Sequence, residues 1–277
     1  MLIKEAKDWE DFQRQLHEVR DDESSAGRSA EFLFRGLSDS AWPLATTLER
    51  ANVEGTRVCD YHGLISRLQP QIESFTGSSW EIPQFPDVER LLKEYKALPD
   101  REYPDQATYS YMVHLRHHGF PSPLLDWTRS LYIAAFFAFR SALKPCEGKV
   151  SIYTFSESPE GWKVTSGDRP WIRRIGPYVR THRRHFLQQS DYTMCAVWKV
   201  GNQPNEWHFA EPGDVFGRGG IRGDIRQDVL WKFNIPWTER LKVLKLLDDY
   251  NLNAFSLFES EETLMETLAL REMEFKA

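Results

Sequence analysis

The chain has 277 residues and a net charge of −6, with 35 Lys and Arg against 41 Asp and Glu, so no global basic field marks it for nucleic acid or membrane and any such binding has to come from a local patch. Ten Trp, ten Tyr and 17 Phe supply a large core and leave rings over for a binding surface. MLIKEAKDWEDF mixes acids and bases, no 18 apolar residues run together, and Cys59, Cys146 and Cys195 form no C-x-x-C pair; together these predict a reduced, cytoplasmic chain without leader, membrane span or disulfide framework.

Trp9, Phe12, Leu16 and Val19 recur at helical spacing and predict a helix over 8–20, with DDESSAGRS as a loop after it. AEFLFRG reads as a strand around 31–35 ending in Arg-Gly, followed by a short helix near 45–52. Helical patterns come next at 61–75 and 87–97, parted by the Trp/Pro-rich SSWEIPQFPD, and then at 107–118. A Pro-containing turn leads to RSLYIAAFFAFRSAL, apolar almost all round, which predicts a buried central helix over 129–143. Strands are expected at 149–155, 192–200 and 228–235, then a helix at 238–250, a strand at 253–258 and a terminal helix at 260–275. The fold class is therefore α+β, a single domain over 1–277 with a helix-rich first half around a mixed or antiparallel sheet.

Two clusters carry chemistry. Arg35 closes an apolar strand and is followed by Gly36, which puts a planar guanidinium where backbone can approach a phosphate or carboxylate; a structural ion pair at a sheet edge is the alternative. HLRHHGFPSPLLDWTRS (114–130) sets three histidines and a lone Asp directly before the apolar helix. Asp126 there is expected either to cap the amide of Thr128 or Arg129 or to orient His118 or a substrate hydroxyl. His114 and His118 at i, i+4 with Asp126 would be the metal alternative, without the Cys partner of the usual zinc site.

Phe34-Arg35-Gly36, Trp42-Pro43-Leu44, His117-His118-Gly119-Phe120-Pro121 and Leu124-Leu125-Asp126-Trp127-Thr128, with Ala134, Ala135 and Ala138 beyond, together resemble the FRG domain, a bacterial and phage-associated family. HFLQQSDYTM and LNAFSLFE resemble its later segments, so the likeness spans about 31–262. The chain departs from the family pattern at Arg116 (usually Gln), Pro123 (usually Arg), Ser190-Asp191 (usually Gly and an apolar residue) and Glu259 (usually Pro).

The family pattern in turn is similar, remotely, to ADP-ribosyltransferases. That resemblance implies an ADP-ribosyltransferase-like fold and NAD held by Arg35, Gly36, His118, Asp126, Trp127, Thr128 and Ser130. It also implies a late acid that stabilises the developing ribosyl cation. Asp191, ahead of the strand YTMCAVW, is the first candidate, and Glu259 or Glu261 of the literal E-x-E the second. Arg35, Asp191, His118 and Asp126 are then the catalytic set.

A third cluster, Arg169 to Gln189, holds six Arg, two His and no acid, interleaved with Trp171, Tyr178 and Phe186. Arg173, Arg174, Arg180, Arg183 and Arg184 are expected either to bind an RNA or DNA acceptor or to form a solvated basic face. GRGGIRGDIR (217–226) lacks the strand-before, helix-after context of a phosphate loop and reads as a mobile connection. The leading expectation is an NAD-dependent ADP-ribosyltransferase-like toxin or phage-defence effector, with an antitoxin protein as the partner that the family's company implies. An NAD-independent nuclease built on His117, His118 and Asp126, and a non-catalytic nucleotide- or nucleic-acid-binding module, are the alternatives.

Overall fold

The computed structural model describes residues 1–25, 31–51, 55–98, 102–159, 163, 169–200, 205–217 and 228–276. In chain order the elements are β1 (Leu2–Glu5), α1 (Trp9–Ser25), β2 (Leu33–Leu37), α2 (Thr47–Arg50), α3 (Val58–Thr76), α4 (Phe85–Leu92), α5 (Gln106–His117), β3 (Leu124–Thr128) and α6 (Leu131–Phe139). They continue with β4 (Lys149–Glu157), β5 (Trp171–Arg174), α7 (Arg184–Leu187), β6 (Ser190–Lys199), β7 (Glu206–Phe209), α8 (Pro212–Gly217) and β8 (Asp228–Pro236). A 3-10 turn then leads into α9 (Arg240–Asp249), α10 (Ala254–Phe258) and α11 (Glu261–Ala269), which runs on into a π-helical turn at Leu270–Glu274. Among the described residues no helix is long and apolar enough to cross a membrane.

One eight-stranded sheet joins the early strands to the late ones in the order β1-β8-β4-β2-β3-β6-β5, with β7 also on β6. Every pairing is antiparallel except β1 with β8, so the sheet is mixed and the α+β expectation stands. Register sorts the side chains onto two faces, because strand residues alternate. Phe34 opposes Thr128, which puts Phe34, Gly36, Leu124, Asp126 and Thr128 on one face and Leu33, Arg35, Leu125 and Trp127 on the other. The first face carries two separate cores. One packs α1, α6 and α9 on β2, β4 and β8, and the other packs α3, α4 and α5 on β3, β6 and β7. The opposite face holds a smaller core around Leu33, Leu125, Trp127, Phe155 and Leu230.

Four strands, β1, β3, β5 and β7, and one helix, α10, depart from the sequence expectation, as do the ends of α1 and α6. LLDWT is strand β3, not the run-in to the central helix, and the cap of α6 is Ser130, whose Oγ accepts from the Ile133 amide. Residues 253–258 form a helix: Asn253 and Ser256 make a capping box, and Ala254 and Leu257 bury at i, i+3 spacing. The apolar alternation of that short run is compatible with either period, and the cap decides it. α1 continues through DDESS to Ser25, and α6 stops at Phe139. β1, β5 and β7 were hidden by brevity or by charge, as in the WIRR of β5. Most of GRGGIRGDIR, residues 218–226, lies outside the described residues.

Candidate active site

β2 pairs with β4 at five positions and β3 pairs with β6 at five, but β2 and β3 meet through the single pair Phe34–Thr128. Beyond that pair the strands part, at the boundary between the two helical packs. Arg35 starts on the opposite face and reaches into this seam. Its Nη1 donates to the backbone carbonyl of Asp126 at 2.6 Å and lies 2.8 Å from the carboxylate Oδ1. Arg116, at the end of α5, donates from Nη2 to the same Oδ1 at 2.5 Å. The arginine thus replaces the strand hydrogen bond that the parting of β2 from β3 removes.

A cavity of about 260 Å³ opens at this seam. Its polar lining is Arg35, Arg116, His117, Asp126, Thr128, Arg184, Gln188, Ser190 and Tyr192, and Phe34, Phe137 and Phe258 form apolar walls. Arg35 and Arg116 both sit on one carboxylate and Arg184 lines the same cavity, and the Nε–H of each is buried without a hydrogen-bond partner among the described residues. Buried donors of this kind are uncommon and favour an incoming acceptor. Burial pushes the Asp126 carboxyl up, but Arg116 and Arg35 beside it win and hold it well below the usual carboxylate range. Asp126 is therefore ionised across the physiological range, with its side chain 42% exposed while that of Arg35 is 10% exposed.

The histidine in the cavity is His117, not His118. His117 Nε2 lies 2.8 Å from the Tyr192 hydroxyl, which lies 3.4 Å from His185 Nδ1, and His185 Nε2 lies 2.8 Å from the Pro177 carbonyl. A carbonyl only accepts, so His185 carries its proton on Nε2, which leaves its Nδ1 to accept. Burial lowers His117 to about 4, against an ordinary 6.5, outweighing the attraction of Asp126; His185, Arg116 and His182 push the same way as burial. Burial likewise lowers His114, His182 and His185.

Between pH 6.5 and 4 the unfolded chain therefore binds protons that the fold refuses, and stability is lost as pH falls through that window. The melting temperature is expected to drop from pH 7 to pH 5, and to drop less in His117→Gln. Equal drops in both proteins would take His117 out of the account.

The other expected site residues separate. Gly36, Trp127 and Thr128 border the cavity, but the Trp127 indole turns to the opposite face, stacks on Phe155 at 5.4 Å and donates to Thr193. Gly36 serves helix packing more than ligand approach, because a Cβ there would fall 1.9 Å from the Ala134 carbonyl oxygen of α6. His118 stands outside the lining, its ring 4.4 Å from His114 and 6.1 Å from His182. Among the described residues no three His, Cys, Asp or Glu side chains form a metal-holding group.

Asp191 is fully buried, on the face opposite the cavity with Trp127, and Arg174 clamps its Oδ2 from Nε at 2.9 Å and Nη2 at 2.7 Å. Arg173 is buried on the carbonyls of Leu98 and Tyr103, so the first two arginines of the basic cluster are drawn into the fold. Arg184 lines the cavity, its guanidinium 5.5 Å from the Phe258 ring, while Arg180 and Arg183 stay exposed. Glu259 pairs with Arg183 at 3.0 Å and adopts a left-handed φ of 50°, and Glu261 lies exposed in the first turn of α11.

Arg116, Phe137, Gln188, Ser190, Tyr192 and Phe258 complete the cavity and were not legible as a set. The signals available were Arg116 as a departure from the family pattern and the Gln-rich turn at 188–189, where Gln189 also takes a positive φ of 46°. No curated protein and no solved structure matches the chain. The model of the FRG domain family matches residues 30–146, which include the FRG triplet, the W-P-L turn, the histidine segment and LLDWT, while Arg184, Gln188, Ser190, Tyr192 and Phe258 lie beyond the match. Arg35, Gly36, Arg116, His117 and Asp126 thus lie within the stretch, residues 30–146, that matches the FRG domain.

Proposed function

We propose that the seam cavity binds NAD and that the chain is an NAD-dependent ADP-ribosyltransferase-like enzyme, a toxin or phage-defence effector that modifies a macromolecular acceptor and is restrained by an antitoxin protein. The observation that carries this reading is the pair of incompletely hydrogen-bonded guanidiniums, Arg35 and Arg116, on one ionised carboxylate, with Arg184 on the same lining and Phe137 and Phe258 as walls. A dinucleotide asks for that combination: cations for a pyrophosphate, an apolar wall for a planar ring, short hydroxyls for ribose and a carboxylate for developing positive charge. Thr128 and Ser190 are the hydroxyls on the same lining. At about 260 Å³ the cavity suits one nucleoside-sized half, so the other half would lie over the rim.

Transfer breaks the C1′–N bond to nicotinamide and joins C1′ to a nucleophilic atom of the acceptor; neutral nicotinamide leaves and the acceptor's proton passes to solvent. In this chain Arg35 and Arg116 hold Asp126 ionised beside the reacting ribose, and Arg184 and Phe258 close the outer wall. With Asp191 committed to Arg174, Asp126 takes the role of the electrostatic acid. The nuclease alternative gains no support from His118, which stands off the cavity, or from Asp126, whose two cations make it a poor base.

The test is nicotinamide release from labelled NAD by purified protein and by Arg35→Ala, with total RNA, DNA and cell protein offered separately. Release that depends on Arg35, with label arriving on one acceptor, is expected. Intact NAD in every mixture sinks the reading, and strand cleavage without NAD would put the nuclease in its place.

A further inference from the structure

The basic cluster of the sequence divides in the fold, and what remains outside is a short strap. Arg173 and Arg174 are used internally, while Tyr178, Arg180, His182, Arg183 and Phe186 all face solvent, with Tyr178 85% and Phe186 66% exposed. The strap backbone is tied down. Gln106 Nε2 donates to the Tyr178 carbonyl at 2.8 Å, Ser110 Oγ to the Arg180 carbonyl at 2.7 Å, Tyr109 to the Gly176 carbonyl and His185 to the Pro177 carbonyl. An anchored backbone with large rings turned outward is not accounted for by packing, since neither ring lies in a core cluster. Arg180 has no ion-pair partner among the described residues, and Arg183 is offset by Glu259. The strap ends where Arg184 enters the seam cavity.

We infer that the Tyr178–Phe186 strap is a docking track for single-stranded nucleic acid, which leads an acceptor strand to the seam cavity. This deepens the transferase reading and rests on it for the word acceptor, but the binding itself does not need NAD. Exposed rings at both ends of a run of cations match a strand whose phosphates meet Arg180 and Arg183 and whose unpaired bases stack on Tyr178 and Phe186. A duplex hides its base faces, so rings that stack on bases select an unpaired strand.

The experiment is fluorescence anisotropy of the full chain, without NAD, on labelled DNA and RNA strands of about 12 nucleotides and on the matching duplex. Binding to a strand, RNA or DNA, over the duplex is expected, and the two strand arms say which sugar is preferred. Tyr178→Ala and Phe186→Ala are each expected to weaken binding about tenfold. The double variant Arg180→Ala/Arg183→Ala should flatten the slope of log affinity against log salt by about 1.4, at about 0.7 per lost phosphate contact. All four side chains are exposed, and melting curves check that the variants fold.

The inference is overturned if no strand binds, if the duplex binds as well as the strand, or if the ring variants bind like wild type while heparin displaces the strand. Strand binding without NAD turnover would leave this inference standing and remove only the transferase. NAD turnover without strand binding would do the reverse.

Discussion

Gly36→Ala is expected to unfold the chain or lower its melting temperature by about 10 °C. An added Cβ at residue 36 would lie 1.9 Å from the Ala134 carbonyl oxygen and 2.6 Å from the Ala138 amide nitrogen. Both are backbone atoms of α6, so no rotamer change relieves the contact and the helix itself has to move. α6 is the buried centre of its core, with Ile133, Ala134, Ala135, Phe136, Ala138 and Phe139 all inaccessible. Overpacking usually costs about 1–3 kcal/mol; a forced shift of helix against sheet should reach about 4 kcal/mol, or roughly 10 °C in a chain of this size. Gly213→Ala, where an added methyl meets nothing within 4 Å, is the control and should melt like wild type. A Gly36→Ala protein with an unchanged melting curve would show that α6 does not press on β2 as described.

Asp126→Asn should have two opposite effects in one protein. Without ligand it loses stability, because Arg35 and Arg116 keep their burial and lose their counter-ion. Breaking a fully buried pair costs about 3–5 kcal/mol; Asp126 is 42% exposed to the cavity, which brings the expectation down to about 2 kcal/mol. With pyrophosphate present the order reverses, because the cavity gains one unit of positive charge. A phosphate roughly 6 Å away would gain about 2.8 kcal/mol at an effective dielectric near 20, so even after screening pyrophosphate should bind the variant at least about tenfold more tightly.

Nicotinamide release, by contrast, should fall by about 100-fold or more, because the carboxylate that opposes the ribosyl charge is gone. Thermal melts with and without pyrophosphate, alongside the turnover assay, read all three quantities. Weaker pyrophosphate binding in the variant would mean that the cavity is not an anion site. Unchanged turnover would free Asp126 from the chemistry.

Much of the fold could be read along the chain because it depends on local periods. α1, α3, α5, α6, β4, β6, β8 and α9 lie within a few residues of where the helical and alternating patterns put them. The errors fall where the local signal is short or carries charge. LLDWT reads as the run-in to the helix that follows it, although Asp126 and Thr128 alternate with Leu125 and Trp127 as a strand requires. In WIRR, two arginines disguise a strand whose charges are satisfied inside, one by carbonyls and one by Asp191.

The site shows the same division more sharply. The sequence by itself marked Arg35, Gly36, Asp126 and Thr128 through their motifs, and it marked the 169–189 stretch by its excess of arginine. It put His118 in the site where the cavity holds His117, because one residue of helix rotation, about 100°, separates the cavity from the His114 stack. It ranked Asp191 first among the late acids, because a turn before a strand looks the same whichever face the acid takes. The tertiary structure decided that face through register: Asp191 opposes Trp127, and Ser190 opposes Thr128 on the cavity side. It also joined Arg116, Arg184 and Phe258, from three distant parts of the chain, around Asp126. Motifs record what a residue can do; which groups meet depends on strand pairing and helix packing across many tens of residues, and no local pattern contains that information.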